Sequence, residues 1–182
     1  MVAENDRAGG LTGPFQLQTE RLQLRRLNID DAELMLAVWN DPAFIRYVGD
    51  RGIRNIDDAR QTLTDVALRM YAEYGYGPYR VALKSDDSPI GTCGLFRHEG
   101  IDDVDIGFAL LPEYCGRGYA YEAAQAVVLH ARNDIGLTRL TALVATDNAE
   151  SIRLIDKLGL TFERMVRLPE EDDDVRLYAM RL

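Results

Sequence analysis

The sequence is poor in cysteine and histidine, and it contains no long apolar run. Its 182 residues include two cysteines and two histidines. Cys93 and Cys115 are too far apart for a short zinc-ligand pair, so neither a disulfide framework nor a structural metal site is expected. No stretch reaches the roughly 18 apolar residues of a membrane span. We therefore predict no metal and no membrane insertion.

Basic residues are also scarce, with 21 Lys and Arg against 30 Asp and Glu and a formal net charge of −9. Because binding to a nucleic-acid backbone requires a basic face, no nucleic-acid partner is expected. Five of the acids form the run Glu170–Asp174. Residues 1–14 contain acids and no apolar core, which predicts a flexible N-terminal segment rather than a secretory signal. A cytoplasmic location is the resulting expectation.

The remaining residues, 15–182, are long enough for one domain with a substantial core. Alternating apolar residues predict strands, and apolar residues at helical spacing predict helices. The strands are expected near 17–27, 79–84, 89–96, 104–110, 140–145, 162–168 and 175–182. The helices are expected from about residue 30 to before Pro42, at 56–74, from about 121 to before Gly136, and from about 149 to Gly159. This order predicts a mixed α/β (α+β) fold.

A glycine-containing turn at Glu113–Ala120 connects a predicted strand to a predicted helix. Gly116 and Gly118 permit unusual backbone angles and close approach of a ligand to the main chain. Successive N–H groups followed by a helix N-terminus form an anion site, which suits a pyrophosphate. The turn lacks the Gly-Lys-Ser/Thr ending of a triphosphate loop and the third glycine of a dinucleotide site. A tight turn that binds nothing is the alternative.

Several segments of the sequence occur together, in the same order, in one known family. They are Thr19–Arg25, Asp105–Ala120 with Glu122–Ala124, Asp147–Asn148 with Ser151–Leu154, and Lys157–Gly159. Over 15–182 the chain resembles the GNAT acetyltransferases, and within them the RimJ/RimL-type branch. The resemblance implies a central, mostly antiparallel twisted sheet of about six to seven strands flanked by about four helices. It also implies an acetyl-CoA-dependent N-acetyltransferase that moves an acetyl group directly to a primary amine.

The resemblance further implies where acetyl-CoA binds. The pantetheine arm is expected in a gap between the strand ending at Leu110–Leu111 and the next strand, and the pyrophosphate on N–H groups of 115–120. The implied cofactor-binding residues are Leu110, Leu111, Cys115, Gly116, Arg117, Gly118, Tyr119, Ala120, Asn148 and Ser151. Cys115 departs from the Arg, Gln or Trp that is usual there, which we expect to alter affinity rather than abolish binding. Asn148 and Ser151 could alternatively serve only to cap a helix.

The acid that protonates the departing CoA thiolate is not the usual one. Many relatives use a tyrosine at the position that matches Ile155. Ser151 is the candidate substitute, with water as the alternative. Backbone N–H groups near Leu110 are candidates to stabilise the tetrahedral oxyanion.

Three carboxylates are candidates for the base that deprotonates the acceptor amine. They are Glu99, Asp103 and Asp105, and His98 lies close to them in sequence. Strand alternation predicts that Asp103 and Asp105 share one face. For each of the three, an ordinary solvent-facing carboxylate is the alternative.

The sequence leaves the acceptor open. A protein N-terminal α-amine and a small amine (an amino sugar, polyamine or amino acid) both fit, as does a noncatalytic acyl-CoA-binding module, and a homodimer is a further expectation. An aromatic cluster is a candidate lining for an acceptor pocket, although half of it would fit the core equally well: Phe44, Tyr47, Tyr71, Tyr74, Tyr76 and Tyr79. Trp39 is expected in the core.

Overall fold

A computed structural model describes residues 15–169 and 173–182, and its backbone is organised around one eight-stranded sheet. The expected flexible segment, 1–14, and residues 170–172 of the acidic run lie outside the described residues. The strands are β1 (Gln16–Gln18), β2 (Leu22–Arg26), β3 (Pro78–Leu83), β4 (Pro89–Phe96), β5 (Asp105–Leu110), β6 (Arg139–Ala145), β7 (Thr161–Val166) and β8 (Val175–Arg181). Their order across the sheet is β1-β2-β3-β4-β5-β6-β8-β7.

Five helical units flank this sheet in the described part of the chain. The first two are α1 (Ala32–Trp39) and α2 (Pro42–Val48). The third is one continuous helix, in which α3 (Ile56–Thr62), a π-helical segment (Leu63–Leu68) and α4 (Arg69–Tyr74) follow one another. The last two are α5 (Tyr119–Asn133) and α6 (Ala149–Leu158). None of the described helices combines the length and the hydropathy that a membrane span requires. The predicted mixed, mostly antiparallel architecture is confirmed, with one strand and one helix more than expected.

The extra helix and strand are short elements with clear local causes. Asp41 caps α2, because its Oδ1 accepts hydrogen bonds from the N–H groups of Ala43 and Phe44 at 2.9 and 3.3 Å, and Pro42 occupies the first helical position. β1 has three residues and pairs antiparallel with β2 at the sheet edge. Before α1, Asn28 and Asp31 form a capping box around a 3-10 turn, so the helix begins slightly later than the acidic pair predicted.

The sheet opens between its two central strands. β5 and β6 are its parallel pair, and their pairing is confined to Asp105 opposite Thr141. Just before it, the N–H and Oγ1 of Thr141 both donate to the carbonyl of Val104, at 2.9 and 3.1 Å. Beyond this point the strands diverge toward Leu110 and Ala145, which creates a gap between two otherwise fully paired halves of the sheet.

A continuous core holds both halves of the sheet in place. Fully buried side chains from the sheet pack with those of α1, α5 and α6, including Leu24, Tyr79, Leu95, Val127, Leu140 and Ile155. α5 lies against β4 and β5, and α6 packs on α5 and β6. Burial of this apolar surface, at roughly 25 cal/mol per Å², is the main force that fixes the elements bordering the gap.

Candidate active site

Two cavities meet beside the gap between β5 and β6. The first, of about 430 Å³, is bordered by the glycine turn, the start of α5 and the start of α6, and we call it the glycine-loop cavity. The second, of about 400 Å³, lies between α1, α2, the π-helical segment, β4, β5 and β6, and we call it the Asp105 cavity. Their shared lining residues are Phe44, Tyr47, Val48, Phe108, Ala109, Asn148 and Ser151.

The glycine turn presents unsatisfied backbone donors to the first cavity. Gly116 and Gly118 have φ of +71° and +82°, a left-handed conformation that glycine adopts without steric cost. Gly118 is the N-cap of α5 and has no side chain that could cap the helix. The first N–H groups of α5, from Tyr119 and Ala120, therefore have no helical partner and lie at the positive end of the helix dipole. This geometry fits an anion.

A partly buried carboxylate fixes the position of this turn, and the sequence assigned it no role. Glu122 in the first turn of α5 accepts hydrogen bonds from Thr19 Oγ1 at 2.5 Å and from Arg21 N and Nε at 2.8 and 2.6 Å. Arg21 also donates to the carbonyl of Arg117 at 3.1 Å and lies over the ring of Tyr119. Thr19, Arg21 and Glu122 all belong to segments that carry the family resemblance, which was the available signal.

Cys115 lies at the wall of the glycine-loop cavity as a free, exposed thiol. Its Sγ lies 3.8 and 3.7 Å from the carbonyl oxygens of Leu110 and Leu111. Partial burial, with Asp41 and Glu150 nearby, raises the pKa of the Cys115 thiol, which disfavours the thiolate that a nucleophile needs.

Of the implied cofactor-binding residues, most line the glycine-loop cavity: Leu110, Cys115, Gly116, Gly118, Tyr119, Ala120, Asn148 and Ser151. Leu111 and Arg117 are not among its lining residues, and the Arg117 side chain is exposed. Asp41 and Glu150 line this cavity together with Arg153. Because two carboxylates and one guanidinium line the cavity, the charges of these side chains do not favour an anion. An anion would therefore be held by the backbone N–H groups and the helix dipole.

The backbone of Leu110 faces the gap. The N–H of Leu111 donates to the carbonyl of Ile90 at 2.9 Å, which shows that the Leu111 peptide faces β4. Because antiparallel strands direct successive N–H groups to opposite sides, the N–H of Leu110 points away from β4 and toward the divergence. A backbone donor is thus present where the sequence placed a candidate oxyanion donor.

Asp105 is a buried carboxylate in the wall of the second cavity. It is 4% exposed, and its Oδ2 lies 3.3 Å from Nε2 of His98. Its Oδ1 is buried without a hydrogen-bond partner among the described residues. Burial raises the pKa of the Asp105 carboxyl, and the contacts with His98 and with the backbone N–H of Leu143 oppose that rise. Such a group is poised to accept a hydrogen bond or a proton from a ligand.

The other two candidate bases are not brought to either cavity. Asp103 accepts a hydrogen bond from Arg139 Nε at 2.8 Å, and Glu163 accepts one from the same guanidinium at 2.6 Å. Glu99 is exposed. Of the three, the structure selects Asp105 as the carboxylate in contact with a cavity.

Asn148 and Ser151 stand where the two cavities join. Asn148 caps α6 by accepting a hydrogen bond from the N–H of Ser151 at 3.2 Å, so the predicted capping is present. Both side chains also line both cavities. Ile155 follows one turn later on α6, 2% exposed, and lines the Asp105 cavity with a side chain that cannot donate a proton.

The aromatic cluster divides between cavity and core. Phe44 and Tyr47 on α2 line both cavities. Tyr71, Tyr76 and Tyr79 are buried in the core, which is the alternative that the sequence left open, whereas Tyr74 is exposed and lines neither cavity. Trp39 packs against the core and also borders the Asp105 cavity, a second role that the sequence did not predict.

The described residues contain no group of three or more His, Cys, Asp or Glu side chains placed to hold a metal ion. The absence of a metal in the reaction stays a prediction.

The family follows from comparison with known proteins. Residues 21–161 match the family model of the acetyltransferase (GNAT) domain. The chain belongs to the GNAT acetyltransferases. An uncharacterized N-acetyltransferase of Bacillus licheniformis is 30% identical to this acetyltransferase over 155 residues, which cover 83% of this chain and 85% of that protein.

Solved structures share the fold of this acetyltransferase. An acetyltransferase from Agrobacterium tumefaciens has a TM-score of 0.78 at 23% identity and covers 98% of this chain and 99% of its own. RimL, a ribosomal-protein α-N-acetyltransferase solved in complex with coenzyme A, has a TM-score of 0.77 at 18% identity, over 90% of this chain and 96% of that one. At these identities the similarity establishes the fold of this GNAT domain.

Proposed function

We propose that this GNAT domain is an acetyl-CoA-dependent N-acetyltransferase that transfers the acetyl group directly to a primary amine. The observation that carries the proposal is the junction at Asn148 and Ser151. There the cavity beside the glycine turn, whose free N–H groups fit an anion, and the cavity with a buried carboxylate open onto one another. One cavity offers donors for a pyrophosphate, and the other offers an acceptor for an ammonium proton. A two-substrate transfer requires this pairing.

On the donor side, the pyrophosphate of acetyl-CoA is proposed to bind the N–H groups of Gly116–Ala120. The divergence of β5 from β6 leaves backbone groups of β5 free to hydrogen-bond the pantetheine arm as an additional strand would. The coenzyme A found with RimL supports the choice of donor, since the two chains share the fold. The more specific assignment to the RimJ/RimL-type branch is part of this proposal.

On the acceptor side, the unpartnered Oδ1 of Asp105 is proposed to take the proton of the incoming ammonium. The neutral nitrogen then attacks the thioester carbonyl, so that an N–C bond forms and the C–S bond breaks. The oxyanion of the tetrahedral intermediate is proposed to accept from a gap-facing N–H of β5 near Leu110. The N–H of Phe108 is the candidate nearer to Asp105, because Phe108 lines both cavities. The CoA thiolate leaves with a proton from the Ser151 hydroxyl, or from water in its absence. The second proton, which the nitrogen loses as the amide forms, restores the proton of that hydroxyl or of the water.

Replacing Ser151 tests the proposed acid. We expect Ser151→Ala to lower kcat by about tenfold to a hundredfold, since general-acid assistance is withdrawn from the leaving thiolate. The affinity for acetyl-CoA, measured by calorimetry, is expected to change by less than about threefold, since the backbone donors of the turn remain. Ser151→Thr keeps a hydroxyl at the same position and is the matched control. An unchanged kcat in Ser151→Ala would exclude Ser151 as the acid.

Thiol release from acetyl-CoA, followed with a panel of amines, tests the function itself. The panel contains peptides with free α-amines, polyamines, aminoglycosides, amino acids and simple alkyl- and arylalkylamines. The expected result is amine-dependent release with at least one acceptor class. Tight acetyl-CoA binding without release against any amine would instead identify a noncatalytic acyl-CoA-binding module.

The nature of the acceptor, its partners and the cellular setting belong to the proposal as well. RimL acts on a ribosomal protein, which keeps a protein N-terminal α-amine among the acceptors, and a small amine is the other candidate. Homodimerisation and a cytoplasmic location stay predictions.

A further inference from the structure

We propose that the acceptor is a compact primary amine with an aromatic or branched aliphatic body, seated in the Asp105 cavity, and that Phe96 selects for that body. The proposal rests on the proposed function, because it names the acceptor class of the same reaction. It concerns the walls of the cavity rather than the reacting groups.

The walls of the Asp105 cavity are predominantly apolar, and they come from several elements. α1, the π-helical segment, α4, β4 and β5 contribute the side chains Met35, Trp39, Val66, Met70, Phe96 and Ile106. At about 400 Å³, the cavity lies near the lower end of the range for small-molecule sites, which is about 300–1,000 Å³. An apolar body of that size would bury its surface here at a gain of about 25 cal/mol per Å².

Among the described residues that line this cavity, the charged groups leave one buried anionic anchor. Asp105 is buried, whereas Arg51 and Asp173 are exposed lining residues and mark the side open to solvent. Arg97 is engaged elsewhere, because its Nε donates to the hydroxyl of Tyr76 at 3.1 Å. His98 contacts Asp105 itself.

A single buried carboxylate matches a single ammonium. A polyamine or an aminoglycoside would place further ammonium or hydroxyl groups against apolar walls, where each would lose its hydrogen bonds to water without gaining a replacement. A long peptide would have to extend past the exposed side of the cavity, so only its first residue would use the apolar walls. A monoamine with an apolar body satisfies both the anchor and the walls.

Phe96 occupies its place in the wall because the neighbouring strand has no side chain there. A Cβ at Gly107 on β5 would lie 2.9 Å from Cε2 of Phe96. The ring therefore rests on the backbone of Gly107, and it also stacks on His98 at 6.4 Å between centroids. This arrangement places an aromatic surface beside the His98–Asp105 pair, where the carbon next to the amine would lie.

The first test compares kcat/KM for phenethylamine and isoamylamine with that for spermidine, an aminoglycoside and a hexapeptide with a free α-amine. The two apolar monoamines are expected to exceed the others by about tenfold or more, because contacts in an apolar pocket discriminate between substrates by about 10–200-fold. A preference for spermidine, the aminoglycoside or the peptide would overturn this inference and leave the proposed function standing. No release with any amine would instead refute the proposed function.

Two variants with opposite effects on volume test the selecting role. Phe96→Ala is expected to lower kcat/KM for phenethylamine by about tenfold to a hundredfold, mainly through KM, and to change that for methylamine little. Val66→Phe fills the cavity from the π-helical segment and is expected to reduce phenethylamine use while methylamine use is kept. Equal losses for both amines would show a merely structural role for these positions and contradict the inference.

The control is Leu129→Ala, because Leu129 on α5 is 57% exposed and lines neither cavity. It is expected to leave both amines unaffected. Calorimetric binding of phenethylamine to the complex with coenzyme A provides a readout without turnover. We expect this binding to weaken about tenfold or more in Phe96→Ala, and unchanged binding would contradict the selecting role of Phe96.

Discussion

Gly118→Glu is expected to weaken acetyl-CoA binding by about a hundredfold or more, because it places a negative charge where the pyrophosphate is proposed to lie. Two unit charges about 4 Å apart near a protein surface repel by about 4 kcal/mol. A Cβ at Gly118 would also begin 3.4 Å from the guanidinium of Arg21, the side chain that anchors the turn to Glu122. Isothermal titration with acetyl-CoA measures the loss.

Two controls separate charge from backbone strain in this experiment. Gly118→Gln adds the same bulk without the charge and is expected to lose clearly less affinity than Gly118→Glu. Gly136→Glu carries the same strain, since Gly136 has φ of +78° with open space around it, but it lies after the other end of α5. It is expected to share a stability cost of roughly 1–2 kcal/mol and to keep its affinity. Undiminished affinity in a folded Gly118→Glu protein would contradict the placement of the pyrophosphate.

Asp105→Asn is expected to lower kcat/KM for the amine by about a hundredfold to ten-thousandfold, the usual contribution of a general base. The affinity for acetyl-CoA should stay within about twofold, because Asp105 lies outside the glycine-loop cavity. Since burial raises the pKa of Asp105, the acid limb of the wild-type kcat/KM profile should lie at higher pH than an ordinary carboxyl would give. That limb should disappear in Asp105→Asn, and its persistence would exclude Asp105 as the base.

The same variant should be more stable than the wild type near neutral pH. A carboxyl whose pKa is raised in the folded state binds protons more tightly there than in the unfolded chain. Stability is therefore lost as pH rises from the usual carboxyl range through the raised pKa. Removing the buried charge should recover about 1–3 kcal/mol at neutral pH, and less as the pH falls. Thermal unfolding at several pH values measures this difference, and Asp103→Asn is the matched control at an ion-paired, partly exposed carboxylate.

Much of the fold follows from local patterns in the sequence. The alternation of apolar residues predicted β4, β5 and β6, and Asn148 and Gly159 marked the ends of α6. The helix α2 was not predicted, because none of its seven residues is fully buried and its sequence therefore shows no apolar stripe at helical spacing. Its signal was the pair Asp41–Pro42, a cap followed by a residue suited to the first helical position.

Of the candidate site, the glycine-loop cavity could be predicted from the sequence, because its proposed ligand contacts are made by the backbone. Glycines at 116 and 118 predict a turn with exposed N–H groups that does not depend on the neighbouring side chains. The selection of Asp105 over Asp103 could not be predicted, because it depends on where the strand begins. β5 starts at Asp105, so the alternation expected to place both carboxylates on one face does not extend to Asp103, which pairs with Arg139 instead. The anchoring of Arg21 by Glu122 joins residues 101 positions apart, a contact that only the packing of α5 against the sheet creates.

The proposed reaction is direct transfer from a donor in the glycine-loop cavity to an amine in the Asp105 cavity. To test it, the wild-type protein is mixed with acetyl-CoA and the amine of the panel that gives the fastest thiol release, and protein and small molecules are followed by mass spectrometry through one turnover. Direct transfer would yield acetylated amine and free CoA in equal amounts, with no acetyl group on the protein. An acetyl group retained on Cys115, or a stable acetyl-CoA complex that yields no acetylated amine, would contradict it.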